Sequence, residues 1–239
     1  FMGRTHSNAY LKVGKFFTNL PVYPTMHTTF GLKEENPQAF AAQWGWKNAS
    51  TDWKKVVRDS EIDLVDIVTP NSMHMPVAME AIAAGKAVAT EKPIAGTLKD
   101  ALAMAQAAKK AKARTFVWYN YRRCPAVALA HQLVKAGRIG RIFHVRCVYL
   151  QQWGAPDTPL LWRFIKKIAG SGAHGDLNAH IVDMARFITG DEITEVTGAI
   201  AETFIKERTI PSAKSAGGLG KRSWKPPIRI AVFITTVMA

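Results

Sequence analysis

Short apolar runs alternate with segments of helical character between residues 61 and 118. The run from Glu61 to Val68 becomes increasingly apolar and ends at Thr69-Pro70-Asn71, which predicts a buried strand that enters a loop. A helix, a strand, a helix and a strand follow, with predicted bounds Pro76–Gly85, Ala87–Ala89, Leu98–Ala113 and Thr115–Trp118, and Thr97 as N-cap. Strands separated by helices in this order are typical of a doubly wound parallel sheet, so we expect a Rossmann-like α/β domain.

The pattern changes after Pro125. A helix is predicted for residues 126–136, a long antiparallel strand for Ile142–Gln152, and then a loop rich in glycine and proline. A further helix is predicted from Asp176 to about Ile188, closed by Gly190. A chain of 239 residues has room for two modest domains, so we predict a Rossmann-like domain over 1–120 and an α+β domain with a mainly antiparallel open sheet over 121–239.

Composition narrows the classes of function. Lys and Arg number 32 against 18 Asp and Glu, a formal charge of +14, which brings phosphate-rich partners into consideration. The basic residues are scattered in pairs without an RNA-binding or zinc-finger signature, so the sequence favours anionic small molecules over nucleic acid. The absence of a long apolar stretch and of a secretory leader favours a cytoplasmic protein with no membrane partner. Cys124 and Cys147 lack metal-site spacing and are expected to be reduced.

Two short motifs carry acid and base groups. Glu91-Lys92-Pro93 follows the predicted strand Ala87–Ala89, at the edge of a parallel sheet where ligands bind. Asp176 and His180 are four residues apart, which places both on one face of a helix. A lysine, a carboxylate and an imidazole are sufficient for proton transfer at a hydroxyl or carbonyl. The alternatives are a solvated surface lysine, an ordinary helix histidine, or a metal site, and the last would need a third ligand.

Glu-Lys-Pro after a strand, followed by an Asp-x-x-x-His helix, resembles the Gfo/Idh/MocA family of NAD(P)-dependent sugar and polyol dehydrogenases. The resemblance runs from Phe1 to about Val196. It implies hydride transfer between NAD(P) and a secondary alcohol of a sugar, cyclitol or related polyol. In that reaction Lys92 would hydrogen-bond the reacting hydroxyl, His180 would act as general acid and base, and Asp176 would position the substrate or tune the proton relay. No metal is needed.

The resemblance also implies two further sets of site residues. The loops that flank the nicotinamide and its ribose correspond to Thr69, Pro70, Asn71, Glu91, Lys92 and Pro93, and His74 lies either in the first of these loops or at the start of the next helix. The substrate side corresponds to Tyr121, Arg122, Trp162, Arg163 and His174. A homo-oligomer is expected on the same ground.

The family's first strand enters a G-x-G-x-x-G turn that cradles the pyrophosphate. Here Gly3 occupies the position of the third glycine and Arg4–Leu11 the following helix, so we expect that the chain lacks the first strand and that Gly3 faces the pyrophosphate. At the predicted end of the second strand no carboxylate precedes Glu34, while Lys33 is placed to meet a 2′-phosphate. The sequence therefore favours NADP over NAD.

The carboxyl-terminal stretch resembles the family least. Residues 217–222 have the composition of a linker, and Ile228–Val237 is predicted as one strand of the second domain's sheet. Two alternatives to an active dehydrogenase stay open: a non-catalytic NAD(P)-binding, sugar-binding or regulatory relative, because fold does not fix function, and an inactive fragment of such an enzyme.

Overall fold

The computed structural model describes residues 1–211, 224–229 and 234–237. Helices and strands alternate through the first half, and this confirms the predicted α/β fold. Its elements are α1 (Met2–Phe16), β1 (Thr28–Phe30), α2 (Pro37–Trp44), β2 (Asn48–Ser50), α3 (Trp53–Arg58), β3 (Leu64–Ile67), α4 (His74–Ala83), β4 (Ala87–Thr90), α5 (Leu98–Ala111) and β5 (Thr115–Val117).

The described strands of this half form two separate parallel sheets. One has the order β3-β4-β5, and β1 pairs with β2 in the other. In the larger sheet Ile67 lies opposite Thr90, and Thr90 lies opposite Val117. The carboxyl ends of β3 and β4 are therefore level, so the loops that follow them meet at one edge of the sheet.

The core of the first half lies between the larger sheet and its helices. The middle strand β4 is buried at Val88, Ala89 and Thr90, as expected for a parallel strand covered on both faces. The helix α5 begins where predicted, because Thr97 Oγ1 accepts a hydrogen bond from the Asp100 N–H at 3.1 Å. The buried cluster comprises Val57, Ile67, Val77, Ala78, Ala81, Ile82, Val88, Ala95 and Met104.

The second half contains helices first and antiparallel strands after them. The helices are α6 (Pro125–Lys135), α7 (Lys166–Ala169) and α8 (Ala179–Thr189), with 3₁₀ turns at Asn120–Arg123 and Trp162–Phe164 and a π-helical turn at His174–Asn178. The strands are β6 (Ala199–Glu202), β7 (Glu207–Pro211), β8 (Trp224–Arg229) and β9 (Ile234–Val237). They form two antiparallel pairs, β6 with β9 and β7 with β8.

The predicted strand Ile142–Gln152 is wrong. The segment has no regular secondary structure, and Phe143 and Leu150 are 85% and 80% exposed. Alternating apolar residues give an extended segment one apolar face. A strand also needs a neighbouring strand that accepts and donates its backbone hydrogen bonds. None of the strands in the described part of the chain pairs with this segment.

The predicted strand Ile228–Val237 is also wrong as a single element. Ile228 belongs to β8 and Val237 to β9, and these strands pair with different partners. The predicted linker at 217–222 lies outside the described residues. None of the helices in the described ranges combines the length and apolarity that a bilayer crossing requires.

Candidate active site

A cavity of about 520 Å³ lies at the carboxyl edge of the larger parallel sheet. Its walls come from α1, from the loops after β3, β4 and β5, and from parts of the second half between the turn Asn120–Arg123 and the start of α8. Predicted site residues that line it are Thr69, Asn71, His74, Glu91, Lys92, Tyr121, Trp162, Arg163, Asp176 and His180. A second cavity of about 180 Å³ adjoins it and shares Arg163, Gly172 and Asp176.

Lys92 and Asp176 form a direct ion pair in this cavity. The Lys92 ammonium donates to Asp176 Oδ1 and to the Asp176 carbonyl oxygen, both at 2.8 Å. The two side chains are only 13% and 24% exposed. The Arg163 guanidinium lies 3.9 Å from the other carboxylate oxygen. Asp176 is thus held between two cations, one from each half of the chain.

The turn that carries Asp176 is π-helical rather than α-helical. The π-helical turn spans His174–Asn178, and the regular helix α8 begins only at Ala179. The prediction of one α-helix from Asp176 is therefore wrong in its first turn. Single π-helical turns recur at functional sites. Here Asp176 and His180 still reach the same cavity.

Gly175 packs the π-helical turn against the loop that carries Lys92. A Cβ at Gly175 would lie 3.4 Å from Pro93 Cγ, an ordinary van der Waals contact, and it would also meet the Ser171 hydroxyl. An alanine at position 175 would therefore require the Ser171 side chain to rotate.

His180 is buried among aromatic rings. Its ring lies 4.4 Å from the Tyr121 ring centroid, while Tyr119 and Tyr149 approach it edge-on. Its Nδ1 has no hydrogen-bond partner among the described residues. Burial, together with the positive charge of Lys92, lowers the pKa of His180 to about 4, although Asp176 opposes the shift. The ring is therefore uncharged at neutral pH.

Tyr149 is a contact of His180 that the sequence analysis missed. Its hydroxyl lies 2.5 Å from the Tyr121 hydroxyl, and burial, with this hydrogen bond, raises the pKa of Tyr149. Burial likewise raises the pKa of Tyr119. Tyr119 and Tyr149 are thus neutral phenols at neutral pH.

The loop after β3 presents polar groups to the cavity. Thr69 Oγ1 is buried and lacks a partner among the described residues. The Asn71 amide donates to the Ala169 carbonyl at 2.8 Å. His74 is the first residue of α4, and its ring nitrogens lie 2.9 Å from the Pro93 carbonyl and 3.0 Å from the Thr69 carbonyl. This buried histidine ties the loops after β3 and β4 together.

A second histidine lies at the floor of the cavity and was also missed. His6 Nδ1 is 2.7 Å from Asp66 Oδ2, and His6 Nε2 is 3.0 Å from Glu91 Oε1. Burial alone would lower the pKa of His6, but the hydrogen bonds that its ring donates to Asp66 and Glu91, with their negative charges, outweigh burial and raise the pKa to about 9. These partners are 60 and 85 residues away in sequence, so no local pattern connects them.

Asp66 accepts two further hydrogen bonds. The Tyr10 hydroxyl donates to Oδ2 and the Trp118 indole N–H donates to Oδ1, both at 2.8 Å. Burial and the Asp66 charge raise the pKa of Tyr10. Helix α1 is thereby attached to the larger sheet through the polar side chains of His6 and Tyr10.

Some predicted site residues lie outside the walls of this cavity. Arg122 donates from Nε and Nη2 to the buried Asp183 at 2.8 and 2.5 Å, and its guanidinium lies over the rings of Tyr119 and Phe187. His174 is exposed, and its Nδ1 lies 3.0 Å from the Asn178 amide. Arg122 thus joins the turn Asn120–Arg123 to α8.

The remaining predicted residues flank the site or lie away from it. Pro70 precedes the turn at Asn71–Met73, and Pro93 supplies the carbonyl that His74 contacts. Gly3 lies within the first turn of α1, where a Cβ would come 3.6 Å from Phe40 Cζ. Lys33 is exposed in the turn after β1. Their predicted cofactor roles stay predictions.

Within the described residues, no group of three or more His, Cys, Asp or Glu side chains is placed to hold a metal ion. Cys124 and Cys147 are free and exposed.

The chain matches two family models. Residues 1–119 match the model described as the oxidoreductase family with an NAD-binding Rossmann fold, and residues 127–218 match the GFO/IDH/MocA C-terminal domain.

Sequence relatives include dehydrogenases of sugars and cyclitols. Levoglucosan dehydrogenase of Pseudarthrobacter phenanthrenivorans is 42% identical over 221 residues, which are 92% of this chain and 56% of that protein. The scyllo-inositol 2-dehydrogenase (NAD(+)) of Bacillus subtilis is 33% identical over 66% of this chain and 44% of that protein. This chain thus spans about half the length of these relatives.

Solved structures agree with these matches. A levoglucosan dehydrogenase in complex with NADH and levoglucosan superposes with a TM-score of 0.84 at 42% identity, covering 88% of this chain and 56% of that one. An oxidoreductase domain protein from Kribbella flavida gives a TM-score of 0.83 at 47% identity, covering 87% and 56%.

Proposed function

Because this chain belongs to the GFO/IDH/MocA oxidoreductase family, we propose that it transfers a hydride between NAD(P) and a secondary alcohol of a sugar or cyclitol. The observation that carries the proposal is the 2.8 Å contact of Lys92 Nζ with Asp176 beside the buried imidazole of His180. These are the groups that the sequence motifs predict for proton transfer.

The sheet edge of the cavity is where we expect the nicotinamide end of a dinucleotide cofactor to bind. In open parallel sheets such ligands bind outside the carboxyl ends of the strands, and this cavity lies there. The unpartnered Thr69 Oγ1 is a buried polar atom that a ligand would satisfy, and Asn71, Glu91 and Lys92 lie around it. These residues would hold the nicotinamide end. When bound, the cofactor supplies the hydride acceptor or donor.

Lys92 would bind the reacting oxygen of the substrate. Its ammonium lies in a partly dehydrated cavity, where a charge-assisted hydrogen bond to a developing alkoxide is strong. Asp176 holds that ammonium at a fixed point and keeps its second oxygen near Arg163. A sugar hydroxyl beside the reacting carbon would donate to this carboxylate.

His180 would exchange the proton. The lowered pKa leaves a free lone pair on the neutral ring at neutral pH, so the ring can accept the alcohol proton during oxidation. The same low pKa makes the imidazolium a strong acid, so the proton returns readily to the oxygen when a ketone is reduced. The surrounding tyrosine rings exclude water from this exchange.

The choice between cofactors and among substrates is part of the proposal. The relative solved with NADH supports NAD, whereas exposed Lys33 after β1 remains the reason to predict NADP. Relatives that act on levoglucosan and scyllo-inositol support a compact polyol as substrate. A homo-oligomer and a cytoplasmic location also stay predictions.

Fluorescence titration of the full chain with NADH and NADPH is the first test, followed by a panel of sugars, anhydrosugars and inositols with NAD and NADP. We expect binding of at least one cofactor and turnover that is lost in Lys92→Ala. Lys86→Ala is the matched control, because Lys86 is also partly buried but donates to the Asp59 carbonyl, which lies outside the cavity. Binding without turnover would favour a ligand-binding relative, and no binding of either cofactor would reject the proposal.

A further inference from the structure

Both ring nitrogens of His6 face carboxylate oxygens. Nδ1 lies 2.7 Å from Asp66, and Nε2 lies 3.0 Å from Glu91. An ionised carboxylate can only accept hydrogen bonds, and a neutral imidazole can donate only one. Both contacts are satisfied together only when the ring carries two protons. The raised pKa of His6 agrees with this doubly protonated state at neutral pH.

The two carboxylates need a cation between them. Asp66 lies in β3 and Glu91 follows β4, and the Glu91 N–H donates to the Ile67 carbonyl, which keeps the two strand ends level. Their side chains are only 13% and 12% exposed. Two like charges this close in a partly dehydrated site would repel each other. The His6 imidazolium offsets that repulsion and fixes both carboxylates.

Glu91 connects His6 to the backbone of the next residue, Lys92. While Oε1 faces His6, Oε2 accepts a hydrogen bond from the Lys92 backbone N–H at 3.2 Å. The carboxylate is thus held at both oxygens, and it holds the backbone from which the Lys92 side chain starts. The geometry points to His6 as a positioning residue for Lys92, acting through Glu91.

The position of the Asp66 carboxylate does not depend on His6 alone. Tyr10 and Trp118 both donate to Asp66, so its carboxylate remains hydrogen-bonded when the imidazole is removed. Among the described contacts of the Glu91 side chain, His6 is the one side-chain partner. Loss of His6 therefore frees Glu91 selectively, and with it Lys92. Displacement of a reacting group by about 1 Å can cost 100-fold in rate.

The test measures how readily Lys92 reacts with acetic anhydride in the full chain, with peptide mass spectrometry to locate the label. In His6→Phe, which keeps a ring beside Trp118, we expect Lys92 labelling to rise at least about threefold, because its ammonium leaves Asp176 and meets solvent more often. Labelling of Lys86 is the internal control and should not change. Tyr10→Phe, which leaves the contact between His6 and Glu91 intact, should not change Lys92 either.

Two further variants separate positioning from general loss of packing. Adding Glu91→Gln to His6→Phe removes the unbalanced charge and keeps an acceptor for the Lys92 N–H, so labelling should return toward the wild-type rate. If His6→Phe does not fold, His6→Gln replaces it. Equal rises at Lys92 and Lys86, or no rise at Lys92, would overturn the assignment.

The catalytic consequence rests on the proposed function. If the chain is a dehydrogenase, His6→Phe should lower kcat by about tenfold while the KM for the cofactor stays close to wild type. Nitrogen NMR of the His6 ring, in which both nitrogens should remain protonated until the pH approaches 9, needs no turnover. An inactive wild-type chain would therefore reject the proposed function alone, whereas a neutral His6 ring at pH 7 would reject the role of His6.

Discussion

Lys92 and His180 influence each other through charge. The Lys92 ammonium is one reason why the pKa of His180 is low, and Asp176 partly compensates because it accepts from Lys92 and lies one turn from His180. The proposed donation from this ammonium to a substrate oxygen and the neutral state of the imidazole thus belong to one arrangement. Changes at either residue should alter both substrate binding and proton transfer.

Substitution of Lys92 by Met should abolish most of the proposed activity. The thioether keeps the length and apolar stem but removes the donor to the reacting oxygen, so we expect kcat/KM to fall by at least about 10³-fold. The affinity for NADH should change little, because backbone and neighbouring groups also form that part of the cavity. Steady-state kinetics and fluorescence titration measure the two effects.

Lys86→Met is the matched control for this experiment and should retain wild-type kcat/KM. A Lys92→Met protein with more than a tenth of the wild-type activity would show that another group binds the reacting oxygen.

At the scale of elements, close backbone contact joins the loop after β4 to α7. Gly170 has a φ of +82°, and a Cβ there would lie 2.2 Å from the Gly96 carbonyl oxygen. The residue before it, Ala169, supplies the carbonyl that Asn71 contacts. Glycine at this position therefore lets the second half of the chain approach the site loops.

Gly170→Ala should destabilise the fold more than a strained φ alone explains. Gly190 also has a positive φ, +75°, but a Cβ there would meet no atom within 4 Å. We expect a loss of about 1 kcal/mol for Gly190→Ala and about 3 kcal/mol for Gly170→Ala, whose Cβ also clashes with backbone. Denaturant unfolding of the two variants measures the difference. Equal losses of unfolding free energy would show that the backbone at Gly96 can move away at little cost.

The contact of Arg122 with Asp183 joins the turn Asn120–Arg123 to α8. Asp183 is buried, so Asp183→Asn should cost about 1–3 kcal/mol by weakening a charge-assisted pair. Glu192→Gln disrupts a similar paired contact, of Arg186 on the same helix, but both of those side chains are largely exposed. That control should leave the melting temperature unchanged. Thermal melts that show equal effects would contradict a structural role for Asp183.

The elements between residues 61 and 118 could be predicted because their signals are local. Thr97 caps α5, Gly85 follows α4 with a positive φ, and the apolar run before Thr69 becomes β3. The segment Ile142–Gln152 carries an equally clear alternation but forms no strand, because pairing depends on a partner elsewhere in the chain. The periodicity of apolar residues shows which face of a segment is apolar, but it does not show which other segment packs or pairs with it.

At the scale of the whole molecule, the same limit applies to the site. Lys92, Asp176 and His180 could be found because each belongs to a short motif. His6 and Tyr149 could not, since they reach the site through contacts across the fold. The pKa of His180 also depends on packing, because burial and the nearby Lys92 move it away from the ordinary value.

His6 and His180 should affect the stability of the molecule at opposite ends of the pH range. His6 faces Asp66 and Glu91, and its folded-state pKa is raised from 6.5 to about 9, so its contribution is complete below pH 6.5 and is lost as the pH rises toward 9. His180 faces Lys92, Asp176, Glu91 and Asp183, and its pKa is lowered from 6.5 to about 4. Its contribution is complete above pH 6.5 and is lost as the pH falls toward 4.

We therefore expect the melting temperature to be highest near pH 6.5. In His6→Phe the fall of the melting temperature at alkaline pH should be smaller than in wild type, and in His180→Phe the fall at acid pH should be smaller. Each difference should be about 3–6 °C if the titrating ring contributes about 1–2 kcal/mol to the free energy of unfolding. Because each variant removes one titrating ring and leaves the other, the two limbs are separable in thermal melts across pH 4 to 9. An alkaline limb that persists in His6→Phe would mean that His6 is not held as an imidazolium between Asp66 and Glu91, and it would remove the electrostatic basis for its action on Lys92.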